Sequence, residues 1–411
     1  MNIFKAADIM LPEAQDLYRW AVIACDQFTS DAAYWQRVRQ AAEGYASTVH
    51  MILPEAELEG ERRSKVEAIN RTMEEYLANG VFKTYSNAYV YVERTLQDGS
   101  VRPGLVGAVD LEAYDYNPGS ESPVRATEKT VLERIPPRKE VRRDAPLELP
   151  HVLMLCDDDG KCLIEPISAI KEQLPLLYDF DLMEGGGHIR GYLLQGKFAE
   201  DFDNRFAAYS QVYGEKYPDL DGAKVLLAVG DGNHSLATAK SCYEELKRNN
   251  PGMDFSNHPA RYALVELENI HDESLKFEPI HRILTGVDTG KLLAWLEGFC
   301  AEEGFCVPYV MGSVTGELIL DSKKGELAVA VLQKAIDDFL AENPGEIDYI
   351  HGDKEVAILA QQDNAIGFLL PAMGKGQLFR GVISGGVLPR KTFSMGHARE
   401  KRYYLEGRKI R

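Results

Sequence analysis

The sequence predicts an α/β or α+β protein with mixed sheets, because helical and strand-like patterns alternate along it without a regular βαβ rhythm. Apolar residues recur at helical spacing from Ser64, and the next segment, YSNAYVYVERT, is typical of a strand. Residues 225–229 form an apolar run that leads into glycines and then into an alanine-rich helical pattern. Helices and strands are therefore mixed along the whole chain.

Length and changes of composition divide the chain into three regions. Its 411 residues exceed the roughly 250–300 residues beyond which single cores stop growing. We expect an N-terminal α/β region at 1–120, a central region at 121–287, and a C-terminal α/β region with a basic tail at 288–411.

The N-terminal region is expected to pack a helix against a hairpin. The helix should end at Asn79 and Gly80, and the turn at Asp98 and Gly99 separates YSNAYVYVERT from a second apolar run at 105–109. In the C-terminal region, helices are expected around 291–300 and 332–340. Strands are expected at DYIHG and AIGFLLP, ahead of the basic, aromatic tail SMGHAREKRYYLEGRKIR.

The central region begins with seven basic residues between positions 125 and 143. Next, VLMLC, the turn DDDG and KCLIEPI predict a hairpin, and the glycines at 185–187 predict a loop between strands rather than an anion-binding nest. The segment RYALVELENIHDESLKFEPIHRIL predicts a strand and then a loop that ends on His281 and Arg282.

The composition favours an enzyme that acts on small molecules. With 46 basic and 64 acidic residues, the net charge of −18 disfavours binding to nucleic acid or to anionic membranes. No stretch approaches the roughly 20 apolar residues of a membrane span, and the first residues lack the apolar core of a signal peptide. Six cysteines without a CxxC pair predict neither a disulfide framework nor a zinc ribbon. We expect a cytoplasmic protein.

The turn after residues 225–229 has the chemistry of an anion site. Glycine permits positive φ and lets a phosphate approach the backbone, and the first N–H groups of the following helix have no partners within it. The alternative is a tight turn with Asn233 as the N-cap. The candidate binding residues are Gly230, Asp231, Gly232, Asn233, His234 and Ser235.

Two acidic residues are candidates for chemistry at this turn. Glu128 lies between Arg125 and Lys129, where a carboxylate would stay ionised and could act as a base or a magnesium ligand. The alternative for Glu128 is an exposed helix start capped by Thr127. Asp231 could bind Mg²⁺ or form an Asx-turn.

Two basic residues complete the candidate set. His234 would place an imidazole beside a bound ligand. Arg282 could hold a phosphate or carboxylate, or it could be structural and pair with an acid such as Asp272 or Glu273.

Three ordered segments resemble the bacterial and archaeal family known as domain of unknown function 1015. Residues 230–239, GDGNHSLATA, occupy the place of an ADGHHRYETA-like segment, RATEKT that of an HE-x-T pattern, and EPIHR that of P-x-HR. Asn233 and Ser235 replace the more usual His and Arg, so the arginine that could clamp a phosphate is missing from the turn. Another cation would have to serve.

The turn also resembles the phosphate-binding helix start of the ParB and sulfiredoxin superfamily, which includes free serine kinases. This resemblance implies a ParB/sulfiredoxin-like nucleotide-binding core at 121–287, with nucleotide phosphates on residues 231–235. It also implies that an acid near Glu128 would deprotonate the acceptor hydroxyl.

The predicted function is a nucleotide-dependent phosphotransferase that acts on a small polar metabolite, with ATP or ADP and Mg²⁺ as cofactors. Glu128, His234 and Arg282 would be catalytic, and Asp231 would bind the metal. Serine or phosphoserine is implied only by the kinase resemblance. The alternatives are a non-catalytic nucleotide-binding regulator whose basic tail contacts a partner, and a phosphatase of a small phosphorylated metabolite.

Overall fold

The computed structural model describes residues 3–13, 15–29, 31–58, 61–325 and 327–411. The strands, in chain order, are β1 (Phe4–Lys5), β2 (Ala7–Pro12), β3 (Phe82–Thr95), β4 (Val101–Asp110), β5 (Tyr114–Asp115), β6 (Val124–Ala126), β7 (Leu147–Glu148), β8 (Leu153–Cys156), β9 (Leu176–Asp181), β10 (His188–Leu194), β11 (Leu227–Asp231), β12 (Tyr262–Asn269), β13 (Phe277–Thr285), β14 (Gly304–Met311), β15 (Val314–Asp321), β16 (Glu346–His351), β17 (Ile366–Phe368), β18 (Phe393–Met395) and β19 (Arg408–Lys409). The α-helices are α1 (Leu17–Trp20), α2 (Ala32–Ala42), α3 (Arg63–Ala78), α4 (Ile135–Arg143), α5 (Glu165–Ser168), α6 (Lys197–Val212), α7 (Asn233–Asn249), α8 (Thr289–Glu297), α9 (Ala328–Leu340), α10 (Asp353–Leu359) and α11 (Lys375–Gly385). The mixture of elements confirms the predicted α/β class with mixed sheets.

The first compact unit comprises Met1–Leu275 and His397–Arg411. Its main sheet has the order β5-β6-β11-β8-β12-β4-β3-β10-β9, with β1 paired to β4 and β2 to β3. Alternate residues of β3 and β4 enter two different apolar cores, so the sheet is covered on both faces. Helices α6 and α7 contribute to one core and α3 to the other. Because both faces of the sheet are packed against apolar cores, the strand ends that carry the candidate site are held in place.

The second compact unit comprises Lys276–Gly396. Its sheet has the order β15-β14-β17-β13-β16, and β18 pairs with β13. The amphipathic helix α9 buries one apolar face in this unit, including Leu332, Ile336 and Phe339.

The compact units divide the chain differently from the three predicted regions. Strands on both sides of residue 120 belong to one continuous sheet, since β12 pairs with β4. The tail from His397 returns to the first unit, and the second unit begins at Lys276 rather than at residue 288. Strand pairing between distant segments leaves no composition signal, which is why the sequence placed the boundaries elsewhere.

Local patterns predicted several elements correctly. Helix α3 buries Val66, Ile69 and Met73 and ends before Asn79, and β3 pairs with β4 as a hairpin. The glycines at 185–187 lie in the connection between β9 and β10, which pair antiparallel. None of the helices in the described part of the chain is long and apolar enough to cross a membrane.

The predicted hairpin of VLMLC and KCLIEPI is wrong. Only its first arm forms a strand, β8. The buried carboxylate of Asp158 accepts hydrogen bonds from the N–H groups of Cys162 and Leu163, and this closes a turn. Pro166 then lies in the first turn of the short helix α5. A turn closed by Asp158 and a short helix that contains Pro166 thus take the place of the predicted second strand.

Candidate functional site

The predicted turn lies at one edge of the main sheet, where the ends of three strands meet. Strands β6 and β11 are parallel, with Val229 opposite Ala126, so their carboxyl ends share this edge. Strand β8 runs antiparallel to β11, with Asp231 opposite Leu153, so the residues that precede β8 lie there too. Residues 127–131, 231–235 and His151 therefore converge on one place.

Gly232 makes the sharp change from strand β11 to helix α7. Its φ of +84° is left-handed, and a Cβ at this position would lie 3.1 Å from Cγ2 of Val152. The carbonyl of Gly232 accepts hydrogen bonds from the N–H groups of Ser235 and Leu236, which begin the helix. Because Gly232 occupies the N-cap position and has no side chain, it leaves the N–H groups of this helix start accessible to an anion.

Asn233 is not the N-cap, contrary to the sequence-based alternative. It is the first residue of α7, and its Oδ1 accepts a hydrogen bond from the N–H of Thr127 at 3.2 Å. The hydroxyl of Thr127 donates to the carbonyl of Val229 at 2.6 Å. The buried Thr127 is therefore no exposed helix start, and it fixes the residues after β6 against the turn.

His234 holds the other end of the same segment. Its Nε2 accepts a hydrogen bond from the N–H of Val131 at 3.2 Å. Glu128 lies between the two attachment points, on a half-buried position of the segment. RATEKT and the turn, which are about a hundred residues apart in sequence, are thus adjacent in the first unit.

Ser235 contacts a histidine that the sequence analysis did not single out. The hydroxyl of Ser235 and Nε2 of His151 share a hydrogen bond of 2.9 Å. The ring of His151 packs against that of Tyr404, with centroids 5.1 Å apart. Burial lowers the pKa of His151, and the carboxylate of Asp231 opposes this shift. A neutral imidazole has both a donor and an acceptor nitrogen, which suits a hydroxyl partner.

The C-terminal tail supplies a cation beside the turn. Nζ of Lys401 lies 3.4 Å from Oδ2 of Asp231, whose side chain is 33% exposed. The basic and aromatic composition of the tail is the one signal for this contact, but no sequence pattern indicates that the tail returns to residue 231.

Arg282 lies in the second unit, in the interior of β13 rather than at a loop end. It is completely buried. Its guanidinium donates to Oε1 of Gln333 at 2.7 Å and to the carbonyls of Ile280, Arg390 and Lys391 at 2.7–3.0 Å. These contacts hold β13 in its own unit, and the phosphate role of Arg282 stays a prediction.

Most basic residues between positions 125 and 143 have structural contacts. Arg125 donates to the carbonyls of Ser122 and Ala223. The other contacts are ion pairs with acids, and they join Arg138 to Glu55, Lys139 and Arg143 to Glu245, and Arg142 to Glu148. The basic appearance of the segment thus reflects helix α4 packing among acidic neighbours.

In the described ranges, no group of three or more His, Cys, Asp and Glu side chains could hold a metal ion. The described residues therefore form no metal site from protein ligands alone. Asp231 could still bind magnesium together with phosphate oxygens and water, since Mg²⁺ commonly uses one or two carboxylates plus a substrate phosphate. Its partly exposed carboxylate fits that role.

Comparisons with solved structures find remote likenesses. SbnI with a C-terminal truncation from Staphylococcus aureus is 11% identical, with a TM-score of 0.37, over 70% of this chain and 81% of that chain. A conserved hypothetical protein from Pyrococcus furiosus is 13% identical, with a TM-score of 0.34, over 72% and 90% of the two chains. Free serine kinase in complex with AMP is 11% identical, with a TM-score of 0.38, over 74% and 91%.

The sequence comparisons are more specific. Among curated proteins, none matches this sequence. Residues 4–372 match the model of the family described as "Protein of unknown function (DUF1015)", which is the family that the turn, RATEKT and EPIHR resemble. Because this match spans most of the sequence, the chain belongs to the DUF1015 family.

Proposed function

We propose that the protein binds a nucleotide on the turn at 231–235 and transfers a phosphoryl group to a small polar metabolite. One observation carries the proposal: the segment that bears Glu128 is hydrogen-bonded at both ends, by Thr127 and Val131, to the first two residues of helix α7. The backbone that bears Glu128 and the start of helix α7 are therefore neighbours, which supports an in-line transfer from a phosphate on the turn to a hydroxyl near Glu128.

The nucleotide phosphates would lie against the start of α7. The N–H groups and the dipole of a helix start attract anions, and the missing Cβ of Gly232 allows close approach. The hydroxyl of Ser235, held by His151, adds a neutral polar group to the same turn. These features support phosphate binding without the glycine spacing of a P-loop.

Magnesium would be held by Asp231 together with phosphate oxygens. When bound, the ion would neutralise charge on the phosphates that are being transferred or released. Asp231 is the last residue of strand β11, so the sheet fixes its backbone while its side chain is partly exposed.

Glu128 would act as the general base. It would accept the proton of the acceptor hydroxyl while the oxygen of that hydroxyl attacks the terminal phosphorus, and the nucleotide would leave with the bridging oxygen. The two hydrogen bonds around Glu128 limit the movement of its backbone. Catalysis would then arise from positioning and electrostatic stabilisation, as is usual for phosphoryl transfer.

Serine is the first acceptor to test, because the resemblance of the turn to free serine kinases implies it. The net charge of −18 is compatible with a small-molecule substrate.

The test is to incubate the purified chain with Mg²⁺, serine and either ATP or ADP, and to measure phosphoserine by mass spectrometry. Parallel reactions should omit the nucleotide or contain EDTA, and a panel of other hydroxylated metabolites should replace serine. Phosphorylation that needs both nucleotide and Mg²⁺ is the expected result.

Three results would contradict the proposal. Nucleotide binding without turnover across the panel would indicate a regulator. Phosphate release from a phosphorylated metabolite without nucleotide would indicate a phosphatase. Absence of nucleotide binding would remove the site itself.

A further inference from the structure

Lys401 is a buried lysine whose ammonium group has few acceptors. The residue is 7% exposed. Asp231 is the one side chain in the described ranges that pairs with its Nζ, and the distance of 3.4 Å is long for a hydrogen bond. An ammonium group carries several N–H donors, and burying one is unfavourable unless acceptors surround it. The ammonium group of Lys401 therefore lies beside the turn and has N–H donors that its one long ion pair does not use.

The backbone around Lys401 is firmly fixed. The next residue, Arg402, is buried and pairs with Glu266 and Glu406. The hydroxyl of Tyr403 donates to the carbonyl of Met183 at 2.7 Å, and the N–H of Tyr404 donates to the carbonyl of Val22 at 2.8 Å. Lys401 is thus held beside the turn by the packing of the tail within the first unit.

A second buried polar group lies on the segment next to the turn. The hydroxyl of Thr130 is buried and has no hydrogen-bond partner among the described residues. Thr130 immediately precedes Val131, whose N–H is bonded to His234. Buried polar groups are nearly always hydrogen-bonded, so the unpaired hydroxyl of Thr130 points to a polar ligand beside this segment.

We infer that Lys401 binds phosphate oxygens of the nucleotide and serves as the cation that the turn lacks because Ser235 stands in place of arginine. The inference rests on the proposed function. Asp231 holds the ammonium group at the turn, and the ammonium group in turn offsets the negative charge that Asp231 would present to a phosphate. The phosphate oxygens supply the acceptors that Lys401 otherwise lacks.

The test compares Lys401→Met with Lys401→Arg by isothermal titration calorimetry of ATP and Mg²⁺. Loss of a charge-assisted contact should weaken the affinity of Lys401→Met about ten- to hundred-fold. Lys401→Arg keeps the charge and should retain most of the affinity. Lys409→Met removes an exposed lysine from the same tail and should bind like the wild type. The wild-type affinity should also fall with added salt, more steeply than that of Lys401→Met.

The outcomes separate the two proposals. If the wild type binds no nucleotide, the proposed function fails. If the wild type binds and Lys401→Met binds equally well, only the role of Lys401 is overturned.

Thermal melts show whether Lys401→Met folds, and a second variant serves if it does not. Lys401→Gln also removes the charge but keeps a polar side chain, and it should weaken the binding of ATP as Lys401→Met does. Wild-type affinity of folded Lys401→Gln would overturn the inference.

Discussion

The backbone N–H of Thr127 donates a hydrogen bond to Oδ1 of Asn233 at 3.2 Å. This contact joins the residue after β6 to the first residue of α7, and Thr127 is completely buried. The amide of Asn233 therefore stabilises the connection between the proposed base and the proposed phosphate site, a role that a helix N-cap would not have.

Two substitutions at Asn233 separate stability from binding. Asn233→Ala leaves the buried N–H of Thr127 without an acceptor and should lower the free energy of unfolding by about 1–3 kcal/mol in denaturant titrations. Asn233→Asp keeps the acceptor but adds negative charge beside the phosphates, so stability should be largely retained while ATP affinity falls. Equal ATP affinity of folded Asn233→Asp and wild type would contradict an anion site at this helix start.

Any side chain at Gly232 should destabilise the turn. A φ of +84° is unfavourable for any residue with a Cβ, so Gly232→Ala should lose about 1–2 kcal/mol of stability. Gly232→Val adds a clash with Val152 and should abolish nucleotide binding. Gly252→Ala is the matched control, because Gly252 has a φ of +96° and open space around it. It should show similar strain in a thermal melt but normal ATP affinity; normal affinity in folded Gly232→Val would remove the phosphate role.

Glu128→Gln should keep nucleotide binding and lose turnover. The amide is similar in shape but cannot accept the proton of the acceptor hydroxyl, so kcat should fall about 10²- to 10⁴-fold while the Kd for ATP changes little. Glu133→Gln, at an exposed position two residues after Val131, should leave both quantities unchanged. Full activity of Glu128→Gln in the phosphoserine assay would exclude Glu128 as the base.

The parts of the site that sequence predicts are those encoded locally. The apolar run before Gly230, the glycines and the helical pattern after Ser235 specify β11, the turn and α7 within about 25 residues of sequence. The pairing of RATEKT with this turn was indicated by family resemblance alone, because no local pattern shows that β6 and β11 lie side by side.

His151 and Lys401 could not be found in the same way. His151 reaches the turn because β8 pairs antiparallel with β11, and Lys401 because the tail packs back onto the first unit. Both contacts join segments that are far apart in the sequence. His151 lies about 80 residues before the turn, and Lys401 lies about 170 residues after it. Arg282 shows the opposite case, in which sequence singles out a residue that then has another set of contacts. Arginine suits a phosphate, but it also suits a set of buried carbonyls.

A substitution at Arg282 decides between these two roles. Its guanidinium satisfies the carbonyls of Ile280, Arg390 and Lys391, and lysine cannot reproduce that fork of donors. A structural role predicts that Arg282→Lys lowers the free energy of unfolding by about 3 kcal/mol, and that the folded variant binds ATP normally. A variant of normal stability with weakened ATP binding would instead support the phosphate role.

Glu268 should make the stability of the first unit depend on pH. This side chain of β12 is 1% exposed, and its Oε1 lies 2.9 Å from Nε of Arg102. Burial raises the pKa of Glu268 from 4.5 to about 8, while Arg102 opposes the shift and the carboxylate of Glu266 adds to it. The folded state therefore binds the proton more tightly than the unfolded state does.

The sign of the effect follows from this difference in proton binding. Stability associated with Glu268 is fully present below its unfolded pKa and is lost as the pH rises through its folded pKa, at most about 1.4 kcal/mol per pH unit. Glu268→Gln is neutral at every pH and lacks this component. Denaturant titrations between pH 5 and about 8 should show the wild type losing stability relative to Glu268→Gln as the pH rises. Parallel pH profiles of the two proteins would show that Glu268 is ionised throughout, with Arg102 as its counter-charge.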